Sequence, residues 1–302
     1  MKMIETKNLT KNFRNKTAVD HINMEANEGE IFGFLGPNGA GKTTTINLLL
    51  RISYPTSGSI KIFGKELAED DLAIKKDIGY MPQGSPLYTE MTGSSFLDFC
   101  ARFYPARDVG LKNSLAELFK LPLHKRIRTY SGGMRQQLLL MQALQHKPKL
   151  LILDEPTSGL DPIAREQFYQ LIKDFRNKGV TVFFSTHILT EVDQVCDTVC
   201  IIKEGRIVEA QKLDLLKSKF NRYLDVTFQE EIPEETLHIA GVKNVIRRNS
   251  QKYTIVIESN ESDIISYIKT LPISSFSIKD IGLDQLFLEY FPEQLEPNEE
   301  RD

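Results

Sequence analysis

The chain has 302 residues, which at roughly 100 to 200 residues per domain is enough for about two domains. Hydrophobic residues make up 41% and charged residues 26%, values of ordinary globular proteins that exclude a wholly disordered or membrane-embedded chain. The 38 basic and 41 acidic residues leave a net charge of −3, so no bulk basic field attracts nucleic acid, and we expect no nucleic-acid partner.

The cysteines and the N-terminal residues favour a cytoplasmic protein. Cys100, Cys196 and Cys200 are too few and too unevenly spaced for a disulfide framework, and we expect Cys196 and Cys200 to be small buried side chains rather than zinc ligands. The first residues carry charges throughout and lack the apolar run of a signal peptide. No stretch approaches the roughly 18 to 20 apolar residues that span a bilayer, so a role at a membrane requires a partner.

Residues 1–216 alternate between β-rich runs and helical patterns, which predicts an α/β domain with a largely parallel sheet. EIFGFLG at residues 30–36 predicts a buried strand, and the following KTTTINLLLRI predicts a helix. KLLILDEP and GVTVFFSTH predict two more buried strands, and both end in polar residues, where α/β folds place ligands. Between about residues 84–146 helical periodicity replaces the strand pattern, which predicts a helical insertion.

The pattern changes after this domain and predicts a small α+β accessory domain over residues 217–302. YLDVTF, NVIRRN, KYTIVIES and SSFSIKDI predict short strands, while ESDIISYIKTL and LDQLFLEYF predict helices. The last stretch, PEQLEPNEERD, predicts a solvated acidic tail without regular structure.

Residues 36–43 match the phosphate-binding motif G-x-x-x-x-G-K-[ST] in full, between a predicted strand and a predicted helix. Glycines let the backbone wrap a phosphate while the N–H groups at the helix N-terminus face its negative charge. We expect Lys42 to pair with the β and γ phosphates and the Thr43 hydroxyl to ligate Mg²⁺. The motif therefore predicts nucleotide binding by Gly36, Pro37, Asn38, Gly39, Ala40, Gly41, Lys42, Thr43 and Thr44.

An apolar strand that ends in two acids follows at residues 150–155. Asp154 is expected to hold the metal ion, through water. Glu155, one residue further on, is where a carboxylate can polarise the water that attacks the γ phosphate. These acids predict that the bound nucleotide is hydrolysed.

The sequence YSGGM at residues 130–134, followed by RQQ, resembles the signature motif of ABC-transporter ATPases. The spacings are also typical of that family, with 23 residues from Ser131 to Asp154 and 33 from Asp154 to His187. The resemblance covers residues 1–216 and implies a P-loop NTPase core with a β-rich N-terminal part. It also implies that Ser131, Gly132 and Gly133 form a second phosphate cradle at a helix N-terminus.

The same resemblance implies roles for four further residues. Phe13 would stack on adenine, with a place in the hydrophobic core as the alternative. Gln83 would touch Mg²⁺ and report the γ phosphate to a membrane partner, and His187 would contact the γ phosphate. Asp161, in the SGLD loop, would cross to a partner subunit. Catalytic roles therefore fall on Glu155, His187, Gln83 and Lys42.

Two positions depart from the commonest signature: Tyr130 stands for leucine and Met134 for glutamine. Neither change removes a phosphate donor. With the additional C-terminal domain, which includes GLDQLF at residues 282–287, this form resembles the drug, antibiotic and polysaccharide exporter branch. The resemblance implies two copies, as a homodimer or heterodimer, that enclose two ATP molecules and drive separate membrane permease subunits at the inner face of the cell membrane.

The run after Gln83 offers a candidate surface for such a partner. Leu87, Tyr88, Met91 and Phe96 supply apolar material for a groove that takes a short cytoplasmic helix of the membrane subunit, with Tyr88 the foremost contact. The alternative is that these residues form the core of the insertion, and for Phe96 and Phe99 we expect the core.

Two other functions stay open. The chain could be an ABC-type ATPase that acts on soluble machinery rather than a membrane partner. Residues 222–291 could form a ligand-sensing module rather than a support for the dimer, although no residue there indicates which ligand would bind.

Overall fold

The computed structural model describes residues 1–84, 87–104, 108–218 and 222–279. The chain divides into two compact units, Met1–Gln211 and Lys212–Asp302. The boundary predicted from the sequence, after Leu216, lies five residues further along the chain. The predicted final helix LDQLFLEYF and the acidic tail lie outside the described residues.

The first unit combines an antiparallel sheet, a parallel sheet and a group of helices. In chain order the elements are β1 (Lys2–Phe13), β2 (Lys16–Asn27), β3 (Ile31–Leu35), α1 (Lys42–Leu49), β4 (Ser57–Ile62), β5 (Lys65–Glu66), α2 (Asp71–Lys75), β6 (Ile78–Met81), α3 (Gly93–Ala101), α4 (Val109–Leu118), α5 (Gly132–Leu144), β7 (Leu150–Asp154), α6 (Pro162–Asn177), β8 (Thr181–Thr186), α7 (Leu189–Val195), β9 (Thr198–Lys203) and β10 (Arg206–Lys212). A four-stranded sheet has the order β2-β1-β4-β5, and a six-stranded sheet has the order β10-β9-β3-β8-β7-β6.

The parallel sheet determines where the functional residues lie. β3 pairs in parallel with β8 and β9, and β7 pairs in parallel with β6 and β8. Every residue of β3, β7 and β8 is buried, as expected for strands covered on both faces. Because parallel strands end at the same edge, the segments after β3, β6, β7 and β8 come together there. These segments contain the phosphate loop, Gln83, Glu155 and His187.

One hydrophobic core fixes the phosphate loop against the sheets. Ile4 and Ile62 from the antiparallel sheet, Ile46 from α1 and Phe183 from β8 all belong to it and are fully buried. The Phe183 ring stacks on Phe32 of β3, with 5.6 Å between ring centres. Packing of α1 against this core holds the helix N-terminus at the end of β3.

The predicted helical insertion is confirmed between β6 and β7, where α3, α4 and α5 follow one another and a single turn of 3-10 helix, Ile127–Thr129, precedes α5. Each of these three α-helices begins at a polar N-cap whose side chain accepts a backbone N–H bond. Thr92 accepts from Ser95 at 3.1 Å and Asp108 from Leu111 at 2.9 Å. Ser131 of the signature caps α5 in the same way. Local sequence thus fixes the start of every helix in the insertion.

The second unit has its own sheet and core. The elements are α8 (Leu213–Ser218), β11 (Arg222–Phe228), β12 (Val242–Arg247), β13 (Lys252–Ile257), α9 (Glu261–Ile268) and β14 (Ile273–Lys279). The sheet is antiparallel with the order β12-β13-β11-β14. The order of strands and helices along the chain is the split βαββαβ arrangement, with the first crossover reduced to a 3-10 turn at Glu234–Leu237. Leu224, Val226 and Phe228 alternate inward and are at most 1% exposed.

The fold class expected from the sequence is confirmed: an α/β P-loop core with a β-rich N-terminal part and a helical insertion, accompanied by a small α+β unit. Cys196 and Cys200 are buried as expected, and burial raises the pKa of both thiols above the usual range. Within the described ranges, no helix combines the length and the apolar character needed to cross a membrane.

Candidate nucleotide site

The phosphate loop, residues 36–43, connects β3 to α1 and leaves the helix N-terminus without a side-chain cap. Gly41 is the N-cap and has a φ of +111°, a backbone conformation that L side chains rarely adopt. A Cβ atom at Gly41 would lie 2.5 Å from the Ala18 carbonyl oxygen, so the position also has no room for a side chain. The backbone N–H groups of the first turn are therefore available to an anion.

Lys42, the first residue of α1, folds back into the loop. Its side chain is 5% exposed, and Nζ donates to the carbonyl oxygens of Gly36 at 2.8 Å and Pro37 at 3.1 Å. Nζ also lies 3.2 Å from Oε1 of Glu155. The ammonium group is thus held inside the loop by two carbonyls and one carboxylate, all of which a phosphate group can replace.

Glu155 is the point where the four predicted catalytic residues meet. Besides its ion pair with Lys42, Oε2 accepts a hydrogen bond from Nε2 of Gln83 at 2.8 Å. Nδ1 of His187 lies 3.3 Å from Oε1. The residue is 7% exposed and has a φ of +46°, a strained conformation for a residue with a side chain. Ser185 supports it, because the Glu155 N–H donates to Oγ of Ser185 at 3.1 Å.

Asp154 ends β7 and is fully buried. Its Oδ1 accepts a hydrogen bond from Oγ of Ser185 at 2.6 Å, whereas Oδ2 is buried without a hydrogen-bond partner. Burial raises the pKa of the Asp154 carboxyl above its usual value, and the Ser185 and Thr43 hydroxyls act in the opposite direction. An unpartnered carboxylate oxygen near a threonine hydroxyl fits a hard, oxygen-binding cation.

The other predicted metal ligand, Gln83, bonds to Glu155. In the described part of the chain, no group of three or more histidine, cysteine, aspartate or glutamate side chains is arranged to hold a metal ion. A cation bound at Asp154 and Thr43 would therefore need oxygen ligands from the nucleotide and water. Thr44, the last predicted loop residue, is half-buried beside Thr43, which is exposed.

The signature residues lie at the start of α5. Oγ of Ser131 accepts from the Met134 N–H at 3.2 Å, and Ser131 and Gly132 are exposed. Gly133 packs near the loop before α6, where an added Cβ would lie 3.7 Å from the Gly159 carbonyl oxygen. Across the described residues, no hydrogen bond or ion pair joins Ser131, Gly132 or Gly133 to Lys42 or Glu155. In the described structure the predicted cradle is therefore not bonded to Lys42 or Glu155 of its own chain.

Gln136, one turn further along α5, connects this helix to the catalytic segment. Its buried Nε2 donates to the carbonyl oxygens of Glu155 at 3.5 Å and Pro156 at 3.0 Å. Neither Gln136 nor Ser185, which bonds to both Asp154 and Glu155, is among the residues predicted from the sequence. Each could have been noticed, because Gln136 is a polar residue on a buried helix face and Ser185 is a polar residue in the apolar strand TVFFST.

The structure explains the tyrosine that replaces leucine in the signature. The Tyr130 side chain is 3% exposed, and its hydroxyl donates to the Pro122 carbonyl oxygen at 3.0 Å. Gly93 makes room for it, since a Cβ there would lie 2.4 Å from the Tyr130 hydroxyl. Tyr130 thus anchors the signature to the helical insertion and leaves the backbone donors of α5 unchanged.

Phe13 and Asp161 are both exposed, as their predicted roles require. The Phe13 ring at the end of β1 is 50% exposed, which excludes the alternative of a core side chain. Nζ of Lys11 lies 4.9 Å from the centre of the ring. Asp161 is the N-cap of α6, where Oδ1 accepts from the Ala164 N–H at 2.8 Å, and it is also exposed.

A phosphate loop on a parallel sheet, an acidic pair at the end of another strand of that sheet and a glycine-rich helix start define a P-loop ATPase of the ATP-binding-cassette type. A family profile described as "ABC transporter" matches residues 19–158. The chain is 38% identical over 237 residues to the bacitracin transport ATP-binding protein BcrA of Bacillus licheniformis, with 76% of each chain covered. It is 34% identical over 293 residues to the uncharacterized ABC transporter ATP-binding protein YhcH of Bacillus subtilis (strain 168), with 95% of each covered.

Solved structures agree with these relatives. The ATP-binding subunit of an ABC transporter matches with a TM-score of 0.67 at 29% identity, covering 72% of this chain and 92% of that chain. An ATP-binding cassette solved as a dimer in a post-hydrolysis state, bound to ADP and Pi, matches with a TM-score of 0.64 at 25% identity, covering 70% and 99%. The chain belongs to the ATP-binding proteins of the ABC transporter family, and the resemblance drawn from its motifs is confirmed.

Proposed function

We propose that the chain is the ATP-hydrolysing, energy-coupling subunit of an ABC exporter. The observation that carries this proposal is the convergence of Lys42, Gln83 and His187 on the buried Glu155 carboxylate, at the edge of the sheet where the phosphate loop ends. The similarity to a bacitracin transport ATP-binding protein supports a role in transport, and the export direction rests on the resemblance of the signature and the C-terminal domain to the exporter branch.

Each residue of the cluster has a distinct task once ATP is present. The phosphate oxygens would compete with the carbonyls and with Glu155 for the Lys42 ammonium, because all of them are acceptors for the same buried cation. Release of Lys42 leaves the Glu155 carboxylate free to take a proton from the attacking water. Gln83 and His187 already contact this carboxylate, so they would orient the water and the γ phosphate together.

Mg²⁺ is the cation that the donor set fits, and Thr43, Gln83 and Asp154 are the residues that would hold it. The unpartnered Oδ2 of Asp154 and the exposed Thr43 support this assignment. When bound, the ion would neutralise phosphate charge. The chain's own residues position it: Ser185 fixes Asp154 through a hydrogen bond to Oδ1, which leaves Oδ2 without a partner for the cation.

A single chain has two incomplete half-sites. The phosphate loop has its cluster of predicted catalytic residues, but the signature residues, exposed Ser131 and Gly132 and half-buried Gly133, are not bonded to it. A second copy, or a related subunit, would place its signature against this loop and so complete the site. The related cassette solved as a dimer with ADP and Pi supports this assembly. Loss of such preorganised donors costs about 10²–10³ in rate, so we expect the monomer to hydrolyse ATP slowly.

An exposed aromatic surface on the helical insertion is the proposed contact with the membrane subunit. It consists of Tyr88, Phe99 and Phe103, whose side chains are 60%, 36% and 70% exposed. The Phe99 ring contacts those of Tyr88 and Phe103 edge-on, at 5.8 and 5.4 Å between centres. The expectation that Phe96 is a core residue is confirmed, whereas the same expectation for Phe99 was wrong. Exposed rings of this kind favour docking of an apolar helix face.

This contact would keep the protein in the cytoplasm and peripheral to the inner face of the cell membrane, next to separate integral permease subunits. The alternative, an ATPase of soluble machinery, predicts no such attachment. Expression with and without the adjacent membrane-protein gene, followed by fractionation and ATPase assay in detergent, separates the two. Attachment with altered hydrolysis supports the proposal, and a soluble, unaffected protein contradicts the transport role.

The second unit is proposed to support the dimer, with ligand sensing as the alternative. Its separate core supports an accessory role, because it leaves the catalytic unit intact as a compact body. A chain ended after Leu216 tests this. Loss of ATP-dependent dimerisation indicates support, whereas dimerisation with unregulated hydrolysis indicates sensing.

A further inference from the structure

Glu191 is a buried carboxylate that the proposed mechanism does not use. It lies on α7 and is 1% exposed. Oγ1 of Thr157 donates to its Oε1, and Oγ1 of Thr186 donates to its Oε2 at 2.5 Å. Both threonines are at most 3% exposed. Within the described ranges no basic side chain forms an ion pair with Glu191, so these two hydroxyls, together with the Tyr169 hydroxyl that also hydrogen-bonds to Glu191, keep the carboxylate in the interior.

The two threonines belong to different parts of the site. Thr186 directly precedes His187, and its carbonyl oxygen accepts the Gly36 N–H of the phosphate loop at 3.2 Å. Thr157 follows Glu155 by two residues, in the loop of residues 155–161 that ends at Asp161. The carboxylate therefore joins the strand end that carries His187 to the loop between Glu155 and Asp161.

A third segment is in range of the same charge. Tyr169 lies on α6, the helix that Asp161 caps, and is 3% exposed. Burial raises the pKa of its phenol, and the negative charge of Glu191 raises it further. The interior of the unit thus places Glu191 among β8, the 155–161 loop and α6.

We propose that Glu191 is a positioning residue that fixes the His187 strand end relative to the loop presenting Asp161 to the partner subunit. The inference rests on the proposed function, which gives His187 and Asp161 their roles. Hydroxyl bonds to a carboxylate are charge-assisted and short, so neither threonine moves without the other. A change at the γ phosphate that reaches His187 is then transmitted to the loop at the subunit interface.

The test is Glu191→Gln, which keeps size and shape but replaces one acceptor oxygen with a donor. One of the two threonine hydroxyls then loses its acceptor. We expect kcat to fall about 10- to 100-fold, because small misplacements of catalytic groups have effects of this size. The KM for ATP should stay within about twofold, since neither Thr157 nor Thr186, the two threonines that donate to Glu191, is among the predicted nucleotide-binding residues. Glu191→Asp, which retains both acceptor oxygens, should recover part of the loss.

A matched control is Glu166→Gln, an exposed glutamate on α6 outside the site. It should retain wild-type kcat. Thr157→Val and Thr186→Val, alone and combined with Glu191→Gln, complete the test. Non-additive losses of kcat indicate that the three side chains act as one unit. Additive losses, or a Glu191→Gln enzyme whose kcat is unchanged, overturn the proposal.

A purely structural role for Glu191 predicts a different result. Glu191→Gln would then lower Tm and reduce the amount of active enzyme, and the remaining fraction would turn over normally. Active-site titration with a nucleotide therefore accompanies the rate measurement. Glu155→Gln and His187→Ala, measured in parallel, test the mechanism itself. If they lose hydrolysis and Glu191→Gln does not, the inference on Glu191 fails and the proposed function stands; if they hydrolyse ATP normally, the proposed function fails.

Discussion

Replacement of Glu155 by glutamine should separate ATP binding from hydrolysis. At an effective dielectric constant of about 20, unit charges 3.2 Å apart, the Lys42–Glu155 separation, attract each other by about 5 kcal/mol before desolvation is subtracted. When ATP binds, its phosphates must replace Glu155 as the partner of Lys42. Glutamine at position 155 carries no charge, so ATP affinity should be equal to or greater than that of the wild type. Loss of the proton acceptor should slow turnover by about 10²–10⁴, or about 2.7–5.5 kcal/mol in the barrier.

Two assays check this prediction. Equilibrium binding of a fluorescent ATP analogue should give an unchanged or lower Kd, while single-turnover hydrolysis falls by the stated factor. Size-exclusion chromatography at saturating Mg-ATP should show a stable dimer of the Glu155→Gln protein, because ATP is no longer hydrolysed and the closed dimer therefore does not open. If the Glu155→Gln protein turns over ATP at the wild-type rate, the assignment of Glu155 as proton acceptor is refuted. If it elutes only as a monomer, the closed dimer is refuted.

Three further predictions follow from burial and exposure. Burial raises the pKa of the Asp154 carboxyl in the folded protein above its ordinary value of 3.8, so the free energy of unfolding of the wild type falls as pH rises from 3.8 through the folded-state pKa. At neutral pH, Asp154→Asn should therefore raise the free energy of unfolding by about 0.5–2 kcal/mol, and Tm with it, while ATP hydrolysis is lost. The gain should vanish near pH 3, and a variant whose Tm follows the same pH profile as the wild type contradicts this. Phe13→Ala should raise the KM for ATP about tenfold at constant Tm, as loss of base stacking costs about 1–3 kcal/mol; an unchanged KM excludes the adenine contact. Tyr88→Ala should abolish membrane attachment while Tyr54→Ala, 62% exposed outside the insertion, should not; equal behaviour contradicts the proposed surface.

Contiguous patterns in the sequence predicted most of the catalytic unit. The strands β3, β7 and β8 are runs of apolar residues that end in glycine or polar side chains, and the phosphate loop is a local motif whose conformation its own glycines impose. Because these strands are parallel, knowledge of their ends was enough to bring Lys42, Glu155 and His187 to one edge.

Contacts between residues far apart along the chain could not be predicted from the sequence. Gln136 bonds to backbone 19 and 20 residues away, Ser185 to Asp154 across 31 residues and Glu191 to Thr157 across 34. Each is a polar residue inside an apolar or helical pattern, so its burial is suggested by the pattern while its partner is not. The misplaced Phe99 has the same origin: helical periodicity marks an apolar face, but only the packing decides how much of that face is covered.

Three buried acids lie near one edge of the parallel sheet, in arrangements that serve function at the expense of stability. Asp154 has an unpartnered oxygen, Glu155 occupies a left-handed backbone conformation, and Glu191 holds its charge with hydroxyls in place of a cation. Each arrangement costs free energy that the surrounding apolar strands offset. Lys42 forms an ion pair with one of the three, Glu155. In the proposed mechanism the phosphates of ATP would draw Lys42 away from this carboxylate, so the release of Glu155 as proton acceptor would depend on occupation of the phosphate loop.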